Sequence, residues 1–163
     1  MKMAVYLRNP LIALAALAAM AVWSPAWSQE FSANCKTNAQ ALRGANLSKP
    51  GSDTTSTSFV DVEFTQLTFT SQGAVADCVV VVFAASAISE NAALFVRAQL
   101  DGKNGKPTGI KFADHTRFET GAAIFVFGDV AKGDHTVSIQ FRSSNGSVVE
   151  LQNRGVMAMF KGQ

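Results

Sequence analysis

The residues able to do chemistry are few, and they are scattered along the chain. His115 and His135 are the two histidines, and each follows an aspartate, Asp114 and Asp134. A metal site would need imidazoles and carboxylates converging on one point. Adjacent residues on a strand face opposite ways, so neither Asp-His pair makes a ligand couple, and no metal or cofactor is expected. Serine, histidine and aspartate are the raw material of nucleophilic catalysis. The chain nevertheless has no Gly-x-Ser-x-Gly and no strand-to-helix elbow to present one, so the expectation is no catalytic residue and no enzyme. Asp101-Gly102-Lys103-Asn104-Gly105 is a faint likeness of a calcium loop, but it puts lysine where a ligand oxygen belongs. It reads as a solvated hairpin loop.

Cys35 and Cys78 are the two cysteines, and neither has a CxxC partner. In an oxidising compartment such a pair bonds, and a disulfide between them is expected. A further group is polar. Arg97, Gln99, Gln140, Arg142, Glu150, Gln152 and Arg154 fall on the outward positions of four strands. On neighbouring strands they would form a plate of long side chains, a candidate binding face, with cross-strand pairs such as Arg142 to Glu150. The plain alternative is an ordinary solvated sheet face.

The N-terminus sets where this chemistry would operate. Lys2 and Arg8 precede an apolar run from Leu11 to Val22, Pro25 breaks it, and Ala26-Trp27-Ser28 puts small residues where a signal peptidase reads. Residues 1–28 are read as a signal peptide cleaved after Ser28. The apolar run is about a dozen residues, short of the roughly 20 that span a bilayer, so no stable membrane anchor is expected. The product would be exported, to the periplasm or the extracellular medium. The 14 basic residues exceed the 12 acidic ones only through Lys2 and Arg8, so the mature chain is formally neutral. A nucleic-acid partner is therefore not expected, because it would require a basic excess. Tyr6, Trp23 and Trp27 leave with the signal, and mature aromaticity is all phenylalanine.

The elements that must position these groups are strands. Residues 29–58 read as a lead-in, with a short helix over Asn34 to Leu42 and a Ser/Thr-rich loop from Ser48 to Ser58. From Phe59 the period becomes two: Val60, Val62 and Phe64, then Leu67 and Phe69 one position late, as a β-bulge near Thr65-Gln66 would produce. Cys78 to Phe83 and Ala122 to Phe127 are apolar on both faces and read as strands buried on both sides. Leu94 to Leu100 and His135 to Arg142 alternate. Ser144-Asn145-Gly146-Ser147 reads as a hairpin into Val149 to Arg154, and Gly155 as a break or bulge. The fold class is an all-β antiparallel sandwich of seven or eight strands over 59–163, jelly-roll-like.

Leu94 to Phe160 carries Leu100-Asp101-Gly102, the run Gly133-Asp134-His135-Thr136-Val137-Ser138-Ile139-Gln140-Phe141-Arg142, and a closing Asn153-Arg154-Gly155-Val156-Met157-Ala158. This segment, less than half of the chain, resembles jelly-roll sandwiches of bacterial secreted and phage-related proteins. At fold level it is similar to tumour-necrosis-factor-type heads, many of which are trimers. The resemblance implies a jelly roll and carries no site residues. The functional expectation is a non-enzymatic exported module with a binding or structural role, a homo-oligomer through one sheet face. The alternatives are a carbohydrate-binding or adhesive module with a glycan or protein ligand, and a small hydrolase around His115 or His135.

Overall fold

The computed structural model describes residues 35, 37–44, 51–72 and 77–162, all in the unit Ala33–Gln163. The signal peptide and its cleavage site lie outside the described residues. Eleven strands occur among these: β1 (Ala39–Gly44), β2 (Ser52–Thr54), β3 (Val60–Asp61), β4 (Leu67–Ser71), β5 (Asp77–Ser89), β6 (Leu94–Leu100), β7 (Lys103–Asn104), β8 (Ile110–Ala113), β9 (Glu119–Val130), β10 (Gly133–Ser143) and β11 (Val149–Phe160). Eight of them are four residues or longer, in keeping with the seven or eight expected.

All pairings are antiparallel and sort into two sheets. Sheet I runs β1-β11-β5-β9, with β2 also on β11. Sheet II is centred on β10 and β6, with β3 and β4 flanking β10 and β7 and β8 flanking β6. The eight longer strands visit the sheets in the order I, II, I, II, II, I, II, I. Two four-stranded layers threaded in this way are a jelly roll.

Side-chain alternation explains why the layers close. Along β5, Val79, Val81, Phe83, Ala85 and Ala87 are buried and the residues between them are half-buried. Leu94, Val96 and Ala98 of β6 and Val137, Ile139 and Phe141 of β10 meet them from sheet II, with Phe125 and Val156 completing the core. Fully burying each such Phe or Val contributes about 1.5–3 kcal/mol.

Several sequence expectations are corrected. The short helix over Asn34 to Leu42 is replaced from Ala39 by strand β1, whose six residues pair with Gly155–Phe160. Sheet pairing satisfies that backbone and overrides local propensity. The Ser48–Ser58 loop contains β2, so the sandwich takes two strands from the segment read as a lead-in. The expected bulge at Thr65-Gln66 is a break: Phe64 has φ 61°, and the Thr65 hydroxyl donates to the Val62 carbonyl at 2.7 Å. Asn145-Gly146 does not close a hairpin. It carries the chain from β10 in sheet II to β11 in sheet I, with the Asn145 amide donating to the Asn91 carbonyl at 2.6 Å. Gly155 does follow a bulge, where the β11–β5 register shifts between Gln152 and Gly155.

Candidate functional site

The sandwich has two outer faces of opposite character. On sheet II, β6 turns Phe95, Arg97 and Gln99 outward, and β10 turns Ser138, Gln140 and Arg142 outward. Register sets Gln140 opposite Arg97, Arg142 opposite Phe95 and Ser138 opposite Gln99. Arg97 donates from Nε to Gln140 Oε1 at 2.7 Å, and Gln140 donates from Nε2 to Asp61 Oδ1 at 2.8 Å. Gln99 donates to Asn104 Oδ1 at 3.0 Å. Phenylalanine rings flank the guanidinium groups. The Arg97 Cζ lies 4.3 Å from the centre of the Phe59 ring, and the Arg142 Cζ lies 5.3 Å from Phe59 and 4.5 Å from Phe95. Such contacts are attractive through the ring quadrupole.

Four of the seven plate residues, Arg97, Gln99, Gln140 and Arg142, thus share a face. The other three do not join them, because β11 belongs to sheet I. Glu150 opposes Ile88 of β5 and Asp53 of β2, so the expected Arg142–Glu150 pair does not form. Gln152 donates to Glu150 Oε1 at 2.7 Å. Arg154 is turned inward and buried, 4% exposed. The bulge, with Asn153 at φ 50°, inserts a residue and reverses the phase. Arg154 Nη1 donates to Ser52 Oγ at 2.6 Å and to the Leu151 carbonyl at 3.1 Å. Burial pushes its pKa below the ordinary value, against the pull of Glu63 and Glu150.

The outer face of sheet I carries an apolar field at its centre, edged by Gln40 opposite Met159 and by Lys106, which bridges Val126. Three rungs cross β11, β5 and β9: Met159, Val80 and Val126; Met157, Val82 and Ile124; Gly155, Ala84 and Ala122. None is charged, and Ile124 is 58% exposed. The next rung, Gln152, Ser86 and Thr120, is polar and uncharged. The runs read as buried on both faces are therefore buried on one; no described residue of the chain covers the outer half of Val80–Ala84 fully. The signal for this face was present in the uninterrupted apolar runs, which alternation alone assigns to burial. Phe59 and Asp61 were missed as parts of the polar face, because alternation from Phe59 gives the direction of each side chain but not that β3 (Val60–Asp61) lies beside β10.

Each histidine meets a carboxylate. His135 Nδ1 lies 2.7 Å from Asp101 Oδ2 and Nε2 lies 2.9 Å from the Ala131 carbonyl, so both ring nitrogens are occupied. Its partner is Asp101 and not the adjacent Asp134. Burial works against the charged ring, but the hydrogen bonds outweigh it and raise the pKa above 6.5. His115 Nε2 lies 3.1 Å from Glu119 Oε2 and 3.5 Å from Asp114 Oδ1, so Asp114 and His115 meet after all, beyond the end of β8 where strand alternation no longer applies. Asp114 also borders an open cleft of about 370 Å³ with Ser89, Asn91, Thr116 and Ser144, but His115 does not line it. Cys35 and Cys78 form a disulfide, Cα to Cα 5.3 Å. Among the described residues no helix is long and apolar enough to cross a membrane.

The fold and these two faces define an all-β jelly-roll sandwich. Part of the dimeric latent PorU from Porphyromonas gingivalis is similar to it, with a TM-score of 0.50 at 12% identity over 80% of this chain. The match spans only 14% of PorU, and the likeness is one of fold. The CBM36-1 domain of a multidomain xylanase from the hindgut metagenome of Trinervitermes trinervoides aligns at a TM-score of 0.39 and 9% identity, over 73% of this chain and 96% of that domain. No protein-family model and no curated protein sequence matches the chain.

Proposed function

We propose that this is a non-enzymatic, exported β-sandwich module that acts by surface contact and self-associates through the outer face of sheet I. The observation that carries this is the uncharged apolar field centred on Val82, Met157 and Ile124, with Ile124 58% exposed. Export is supported by the basic, apolar, small-residue order of residues 1–28 and by the Cys35–Cys78 disulfide.

A second copy is the occupant that fits. A two-fold contact sets a patch against itself, so a charged patch repels its own image. The nine residues of the sheet I field carry no charge, and Lys106, which bridges Val126, stands at its edge, whereas the centre of the sheet II face would oppose Arg97 and Arg142 to themselves. Two methionines at the contact can repack to their counterparts. Strand spacing and rise give three strands by three rungs a plan area of roughly 300 Å². A standard interface takes about 800 Å² from each partner; the field falls short of that, so the dimer is weak and reversible, and roughly 10–100 µM protein is the range over which to look for it.

Sedimentation equilibrium on the purified protein tests this. The wild type should move from monomer to dimer across that range, and Ile124→Lys should stay monomeric with an unchanged melting temperature. A wild type that is monomeric at about 1 mM, tenfold above the upper end of the range, would remove the proposal.

A further inference from the structure

On the far side of the sandwich from the apolar field, Arg97 and Arg142 are half-buried cations with no carboxylate in ion-pair contact among the described residues. A guanidinium has five N–H donors. Arg97 spends Nε on Gln140, and Arg142 makes one long bond, 3.4 Å, from Nη1 to the Ser143 carbonyl. The carboxylate nearest in register, Asp61, is bound to the Gln140 amide and reaches Arg97 only through it. Both guanidinium groups meanwhile rest against aromatic rings. Phe59 lies against both of them and Phe95 against Arg142, so the two Cζ atoms are separated by no more than the sum of their distances to the Phe59 ring centre. Forks with spare donors suit a planar two-oxygen anion, a carboxylate, which each can grip in bidentate fashion.

The neighbouring rungs say what else the ligand carries. One step along β6 and β10, Ser138, Gln99 and Asn104 line up, and beyond them Thr136 and Thr68. These are neutral groups able both to donate and to accept. A third cation on this face, Lys111 opposite Phe95, is paired with Asp114 at 2.7 Å, so an acidic peptide would find no further unpaired cation among the described residues here. A chain of hydroxyl groups is served by amides and hydroxyls. We infer that the outer face of sheet II is a binding surface for a carboxylate-bearing polysaccharide of the uronic-acid type, with Arg97 and Arg142 gripping the carboxylates and Gln99, Asn104 and Ser138 meeting the hydroxyls. This goes beyond self-association, and the two readings fail separately, since the monomeric Ile124→Lys variant should still bind.

Calorimetric titration of the purified protein with oligogalacturonate is the test. Binding should be saturable and should weaken by about tenfold or more in Arg97→Gln and in Arg142→Gln, a step of one decade in Kd. Arg97→Lys keeps the charge and loses the fork, so it should also bind more weakly while melting like the wild type. Dextran, which is neutral, and poly-glutamate of matched length should bind at least about tenfold less well than oligogalacturonate. Three results would each overturn the inference: no binding of oligogalacturonate, equal binding of poly-glutamate, or an affinity untouched by the arginine substitutions in variants that melt normally.

Discussion

His135 ties two turns together with one ring. Asp101, at the β6–β7 turn, accepts from Nδ1, and Ala131, before β10, accepts from Nε2; Asp101 Oδ1 also accepts the Thr136 N–H at 2.8 Å. A ring between two acceptors donates from both nitrogens only when protonated, which is why its pKa lies above 6.5. For Asp101, burial raises the pKa, but the bonds from His135 and Thr136 prevail and hold it below 3.8. The raised imidazole stabilises the fold fully below pH 6.5 and loses that contribution as pH climbs through its folded value. The lowered carboxylate stabilises above pH 3.8 and loses its contribution as pH falls through its folded value. The stability gap between wild type and His135→Gln, read by calorimetric melting, should therefore be widest between those two values and narrow on either side. Arg154 makes a second residue-scale case. Arg154→Leu leaves the Ser52 hydroxyl and Leu151 carbonyl without this donor, and urea unfolding should show a loss of about 2 kcal/mol.

Among the elements, the β6–β7 hairpin follows directly from its residues. Asp101 and Gly102 join Leu100 to Lys103 with φ of 50° and 79°, the mirror-image turn that Asp-Gly favours. Gly102→Val should cost about 1–2 kcal/mol in urea unfolding, because a β-branched residue is strained at positive φ. β1 shows the opposite. Nothing in Ala39–Gly44 alternates strongly, and only the β11 edge makes it a strand. β5 and β9 lie between these cases. Their runs identified strands, but an apolar outer face reads the same whether another layer covers it or a second molecule does. β11 was legible up to Gln152, after which one inserted residue sent Arg154 into the interior and divided the polar plate.

For the whole molecule, the disulfide is the covalent constraint across the described residues. It spans a separation of 43 residues and joins the approach to β1 with the start of β5. Closing a loop of that length stabilises by about 4 kcal/mol in the chain-entropy model. The Cys35→Ser/Cys78→Ser double variant should unfold at lower urea, with a loss of about 2–4 kcal/mol, and dithiothreitol should then change the wild type but not the variant. Among the eight longer strands the chain crosses between sheets at six of seven connections, so strands pair with partners far along the sequence, as β5 does with β11 and β9.

By itself the sequence settled where most strands alternate, where Asp101-Gly102 turns and that the domain is an all-β sandwich, and it pointed to Cys35 and Cys78 as a pair, a bond that the structure then showed. These are local properties: side-chain period, turn chemistry and residue type act within a few positions. Tertiary structure alone decided which strands are neighbours. It put β10 and β11 in different layers, kept Arg97, Gln99, Gln140 and Arg142 together, sent Glu150 and Gln152 to the other sheet and buried Arg154. The physical reason is that alternation records how each side chain faces its own sheet. The choice of sheet depends on non-local pairing, which leaves no periodic trace in the residues that take part.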